Sequence, residues 1–185
     1  MKRGIALCLI ALCLGVALLL LNPFASADAQ SPASLRLLQS DASRVVLELE
    51  IAGYDARQVT PDSALFVALS IPGLGQTGEI GQPQLPIKGA MIGIPPGAQV
   101  SLTILADEAR REPLASPPLP APAPLVEYDP PQPLPRYAGQ AFTRDAAAYS
   151  AAPLYPAQAA RIASDGNWRS QRYLVVEFHP LQYDP

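Results

Sequence analysis

A single histidine limits the chemistry that this chain of 185 residues could perform. His179 stands before Pro180, just past an alternating apolar pattern that puts it on the polar side of a strand. One imidazole, without a second histidine or a nearby cysteine, does not build the usual zinc site. A Ser-His-Asp triad through His179 stays open from sequence, yet no Gly-x-Ser-x-Gly elbow supports one. His179 therefore reads as a satisfied or solvated structural histidine rather than a catalytic base. Asp107 and Glu108 with Arg110 and Arg111 form a charge cluster, which reads as a solvated face. Gly73, Gly75 and Gly78 fit G-x-G-x-x-G, but no βαβ unit follows, so the segment is expected to be a flexible loop. No catalytic residue, metal ligand set or cofactor is expected.

The two thiols, Cys8 and Cys13, lie in an apolar leader. Lys2 and Arg3 precede a run of apolar residues over 4–21, Asn22 and Pro23 break it, and Ala25, Ala27 and Ala29 follow. That order specifies a secretory signal peptide over residues 1–29, cut after Ala27 or Ala29. The run is also long enough to cross a bilayer, so an uncleaved anchor is the rival reading. With the leader removed, residues 30–185 hold no cysteine, hence no disulfide and no thiol nucleophile. They are expected to form one secreted domain, extracellular or periplasmic, that meets a membrane only during export. The net charge is −3, and beyond the leader Lys88 is the only lysine. No basic stripe could follow a phosphate backbone, so no nucleic-acid partner is expected.

The elements that would position any site read as strands. Val45, Leu47, Leu49 and Ile51 alternate with Val46, Glu48 and Glu50. Apolar runs follow at 64–71, 90–94 and 100–105, separated by Gly, Pro and Asp turns. A short apolar stretch at 35–38 precedes them. At the far end Leu174, Val176 and Phe178 share one face, and Asp184 with Pro185 begins a turn that suggests a chain incomplete at its C-terminus. Short strands at steady spacing predict an all-β, antiparallel, sandwich-like domain. Only residues 146–162 could hold a helical turn or two, limited by Pro153 and Pro156. Trp168 and Tyr183 are expected in the core. Ten of the residues over 113–135 are proline, which argues against a central strand there and predicts polyproline II. Such a segment is either a spacer or a pre-extended stretch that lies along a groove on a partner.

Two strings carry a family resemblance. Gly81, Gln82, Pro83, Gln84, Leu85, Pro86 and Ile87 resemble the Gly-x-Pro-x-Leu-Pro entry of gingipain propeptides (peptidase family C25). Pro180, Leu181, Gln182, Tyr183, Asp184 and Pro185 resemble the close of the same family, after an approach through Arg169, Ser170, Gln171 and Arg172. Between them Tyr137 to Phe142, and Leu154, Tyr155 and Pro156, fall in the expected order. The resemblance implies a β-sandwich prodomain placed between the signal peptide and a caspase-like cysteine peptidase domain downstream in the same polypeptide. It would assist folding of that peptidase, its cognate partner, and block its cleft; covalent attachment would keep its effective concentration high. Any endopeptidase activity would belong to the parent family, since its His-Cys pair has no counterpart here. The resemblance further implies an inhibitory segment at Leu125, Val126, Glu127, Tyr128 and Asp129. No Arg or Lys lies within it, a departure that bears against an Arg- or Lys-specific partner. Val126 or Tyr128 could fill another kind of pocket, and Arg136 is the nearest basic alternative. The competing reading is a secreted β-sandwich binding or adhesion module with a Pro-rich stalk.

Overall fold

Branched and aromatic side chains at every second position form strands where a partner edge takes up their backbone groups. The computed structural model describes residues 33–127, 136–150 and 154–185. Its strands are β1 (Ala33–Ser40), β2 (Val45–Ile51), β3 (Asp55–Val59), β4 (Phe66–Ser70) and β5 (Gly75–Gln76), then β6 (Pro86–Ile94), β7 (Ala123–Glu127), β8 (Arg136–Ala141), β9 (Ala160–Trp168) and β10 (Gln171–Phe178). Every ladder between them is antiparallel. β1 pairs with β2, β3 with β4 and β7 with β8, while the remaining four form a sheet in the order β5-β6-β10-β9. The 3-10 turn Pro61–Ser63 is the only helical piece among the described residues. The all-β antiparallel expectation stands. The leader, with Cys8, Cys13 and the cleavage candidates Ala27 and Ala29, lies outside the described residues.

Local chemistry explains the best-defined turn. Between β1 and β2 the Asp41 carboxylate accepts the backbone N–H groups of Ser43 and Arg44, both at 2.8 Å, and the Ser43 hydroxyl. This is an Asx turn, in which the side chain replaces a backbone acceptor. The backbone N–H of Ser43 and the other donors hold the Asp41 carboxyl down to about 2.

The core gathers around Val67, Leu69 and Leu85, with Tyr54, Leu114, Tyr155, Leu181 and Tyr183 packed against it. Prolines fill it as well: Pro83, Pro86, Pro118 and Pro120 are fully buried. This corrects the expectation of a spacer or partner-seeking stretch over the first half of the Pro-rich segment. Residues 117–121 lie between two partners inside this same domain. Val67 N donates to Pro117 O at 2.9 Å, and Leu119 N donates to Val67 O at 2.8 Å. On the other side Gln84 N donates to Leu119 O, and Ala121 N to Gln82 O, both at 2.8 Å. The reason is spacing. With proline at 118 and 120, the N–H groups of Leu119 and Ala121 remain free to donate, and the carbonyls of Pro117, Leu119 and Ala121 accept. Residues 128–135, the second half of the segment, lie outside the described residues.

Other expectations need correction. Residues 100–105 alternate but pair with no strand. Pro95 and Pro96 remove two donors as the chain leaves β6, and Gly97 (φ +76°) turns it away. From Gln99 to Pro113 the backbone makes no hydrogen bond to another backbone group among the described residues. Over 146–150 the chain makes turns rather than a helix, and β9 begins at Ala160. Trp168 is 65% exposed rather than buried, because it ends an edge strand beside the Arg169–Ser170 turn. The glycine-rich loop contains β5, whose Gly75 and Gln76 pair with Ile87 and Pro86.

Candidate functional site

The expected inhibitory segment opens from the hairpin of β7 and β8. Alternating residues on β7 give it its form: Leu125 lies opposite Gly139, Val126 opposite Tyr137 and Glu127 opposite Arg136. A bulge falls between Leu125 and Val126. Gly139, at φ +152°, takes up the distortion across from it. Leu125, Val126 and Tyr137 are exposed, Val126 at 56%. Arg136 Nη2 reaches Glu127 Oε2 at 3.1 Å, with both side chains in solvent. An exposed pair of this kind adds little stability but holds the ends of the two strands in register. Tyr128 and Asp129 lie outside the described residues. Of the sequence candidates, the structure thus brings together Leu125, Val126, Glu127 and Arg136 on one exposed hairpin.

The hairpin is aimed by the string at 81–87. Gly81 N donates to Ala121 O at 2.9 Å, and Asp145 N donates to Gly81 O at 3.0 Å. Gly81 therefore ties the residues just before β7 to those just after β8. Its backbone sits at φ +81°, and a Cβ there would meet Thr143 O at 3.1 Å and Asp145 N at 3.3 Å. Only glycine accepts both the dihedral and the close approach. Thr77 Oγ1 donates to Pro83 O and accepts from Leu85 N, at 3.0 and 2.9 Å, which fixes the middle of the string. Leu85 is 1% exposed.

The other strings converge on the same core. Tyr155 N donates to Tyr183 O at 2.8 Å and Tyr183 N to Tyr155 O at 2.6 Å. Gln182 Nε2 donates to Pro156 O at 2.7 Å. Tyr149, expected by no motif, places its hydroxyl 2.9 Å from Pro118 O and its ring 5.8 Å from that of Tyr183. Burial pushes the Tyr149 phenol well above its ordinary value, and that of Tyr155 upward too. The Arg144 guanidinium lies over the Tyr149 ring at 5.5 Å, a cation–π contact.

His179 is where residue-by-residue reading failed. It is 4% exposed, and neither ring nitrogen has a hydrogen-bond partner among the described residues. It is thus buried, with neither ring nitrogen satisfied among the described residues. β10 ends at Phe178, so the strand alternation that assigned His179 to the polar side no longer applies. Its backbone N–H donates to Ala159 O at 2.8 Å, which draws the residue inward. Asp107, Glu108, Arg110 and Arg111 are exposed, as expected. No group of three or more metal-ligating side chains occurs among the described residues.

A family model for C25 propeptides, Propeptide_C25, matches residues 26–185. The chain belongs to that family. The propeptide also matches a solved complex of the pro- and mature domains of RgpB from Porphyromonas gingivalis, with a TM-score of 0.65 and 18% identity over 82% of this chain and 75% of that one. A structure described as an insight into zymogenic latency of gingipain K, from the same organism, matches with a TM-score of 0.45 and 19% identity, over 83% of this chain and 89% of that one. No curated protein sequence matches the propeptide significantly. The likeness to RgpB is one of fold. It places the all-β propeptide and the matched chain of that complex in the same fold.

Proposed function

We propose that this propeptide confers latency on a cognate caspase-like cysteine peptidase domain and assists its folding. The observation that carries the reading is the family match over residues 26–185, nearly the whole chain. The β7–β8 hairpin is the element that approaches the peptidase cleft. It offers exposed Leu125, Val126 and Tyr137 at its sides and the Glu127–Arg136 pair where the strands part. Apolar side chains on a stiff hairpin lose little freedom when they enter a pocket. The propeptide supplies no catalytic group of its own, since the chain's two cysteines are Cys8 and Cys13 in the leader. The leader directs export, and the propeptide acts outside the cytoplasm beside its enzyme.

The test is inhibition. The chain, titrated into the C25 peptidase domain paired with it in its own genome, should suppress cleavage of peptide substrates at stoichiometric ratio. Alone it should show no thiol-dependent cleavage. Full peptidase activity in the presence of excess propeptide would sink the latency reading, and peptidolysis by the propeptide alone would sink the non-catalytic one.

A further inference from the structure

The orphaned imidazole of His179 has no part in the hairpin, and its surroundings are specific. It sits where the end of the chain is clamped to residues 155–159. The clamp consists of His179 N to Ala159 O, the two backbone bonds between Tyr155 and Tyr183, and Gln182 Nε2 to Pro156 O. Leu181 and Tyr183, in the same segment, pack on the core cluster. Whatever moves His179 therefore disturbs a principal tie between the C-terminal segment and the core.

Three charged groups act on the ring. Arg161 on β9 opposes a positive imidazolium, while Glu177 on β10 and Glu79 in the β5–β6 loop favour one. Glu177 is already committed to Arg161, Oε2 to Nη2 at 2.8 Å and to Nε at 3.0 Å. Neither carboxylate accepts a hydrogen bond from the ring. An imidazolium has a donor at each nitrogen, and no acceptor among the described residues meets either of them. Protonation in place would bury an unpaired charge, which folded proteins avoid by neutralising the group or by opening. His179 is the only histidine of the chain, and histidine is the side chain whose ordinary value falls between pH 5 and 8.

We propose that His179 is an acid-sensitive latch: mild acid protonates its imidazole and opens the clamp between residues 155–159 and 179–183. Burial, with Arg161 adding to it, lowers the His179 value in the folded chain, while the unfolded chain binds the proton near pH 6.5. The stability tied to the neutral ring is full above about pH 6.5 and declines as the pH falls toward the folded value. Below that value the loss levels off, and carboxylates take over the pH dependence. In terms of the latency reading, on which the consequence for regulation rests, mild acid loosens the propeptide and favours release of its enzyme.

The experiment is denaturant unfolding of the whole chain between pH 5 and 8, with wild type beside His179→Phe. In the wild type the unfolding equilibrium constant should rise by up to about tenfold per pH unit below pH 6.5, the slope of one proton taken up on unfolding. His179→Phe, which removes both orphaned nitrogens and keeps an aromatic ring, should flatten that slope. Coincident slopes for the two proteins would overturn the latch. Proton NMR of the wild type settles the matter should the variant not fold, because the chain has one imidazole to observe. A ring that titrates near 6.5 with the native spectrum unchanged also overturns the proposal, whereas one that stays neutral until the native signals disappear supports it. Inhibition of the peptidase is a separate readout. A propeptide that shows the His179-dependent slope but inhibits at no pH keeps the latch and refutes the latency reading.

Discussion

Gly81 shows how a family string can be structural at the level of a single residue. It joins the two legs of the hairpin through one N–H and one carbonyl, in a backbone conformation that other residues adopt at a cost. Gly81→Ala should destabilise the propeptide by roughly 1 to 3 kcal/mol, read as a lower denaturant midpoint at unchanged slope. A midpoint equal to that of wild type would show that Thr143 and Asp145 shift freely to make room. His179 teaches the opposite lesson about reading residues from sequence. Alternation fixes a side chain's face only while the strand lasts, and β10 ends one residue too soon for the rule to hold. Trp168 departs from expectation for a related reason. Its size argues for burial, but the residue ends an edge strand and lies open to water.

At the scale of elements, what was legible depended on burial. The body of β10 is legible because Leu174 and Val176 are buried on one face, and β2 because its Leu47 and Leu49 lie opposite Leu37 and Leu35 of β1. β9 is not, since an edge strand such as Ala160–Trp168 needs few large apolar residues. β3, almost wholly exposed, and β5, with two residues, left no pattern to find. The stretch over 100–105 misleads in the other direction, since Val100, Leu102 and Ile104 alternate with Ser101 and Thr103 yet join no edge among the described residues. Its Val100, Leu102, Ile104 and Leu105 are all exposed, Leu105 at 71%. The candidate site was legible only through the resemblance to gingipain propeptides, because nothing in Leu125, Val126 or Glu127 by itself distinguishes a binding hairpin from any other. Residues 99–113, free of backbone hydrogen bonds to other backbone groups among the described residues, should be the first place a protease cuts. Brief trypsin treatment should cleave after Arg110 or Arg111 before Arg161 or Arg172, as mass spectrometry of the early fragments will show. First cuts within β9 or β10 would mean that residues 99–113 are better protected than their backbone implies.

For the whole molecule the fold separates two tasks. Leu85, the buried prolines and the tyrosines hold the core, whereas the hairpin proposed to meet the enzyme contributes little to it. Val126→Asp should therefore leave the unfolding free energy within about 0.5 kcal/mol of wild type and weaken inhibition by tenfold or more. Undiminished inhibition by that variant would move the contact surface away from β7. The threading of residues 117–121 between Val67 and the 82–84 stretch has a kinetic consequence. Core partners lie far apart along the chain: β4 waits for the prolines, the prolines for Tyr149, and Leu85 for Leu181 and Tyr183. Such long loops must close before any contact rewards them, which slows folding. A chain that emerged in order could form its first hairpins and seat residues 117–121 early, but the sheet centred on β10 and the packing of Leu181 and Tyr183 on Leu85 would wait for the residues beyond 170.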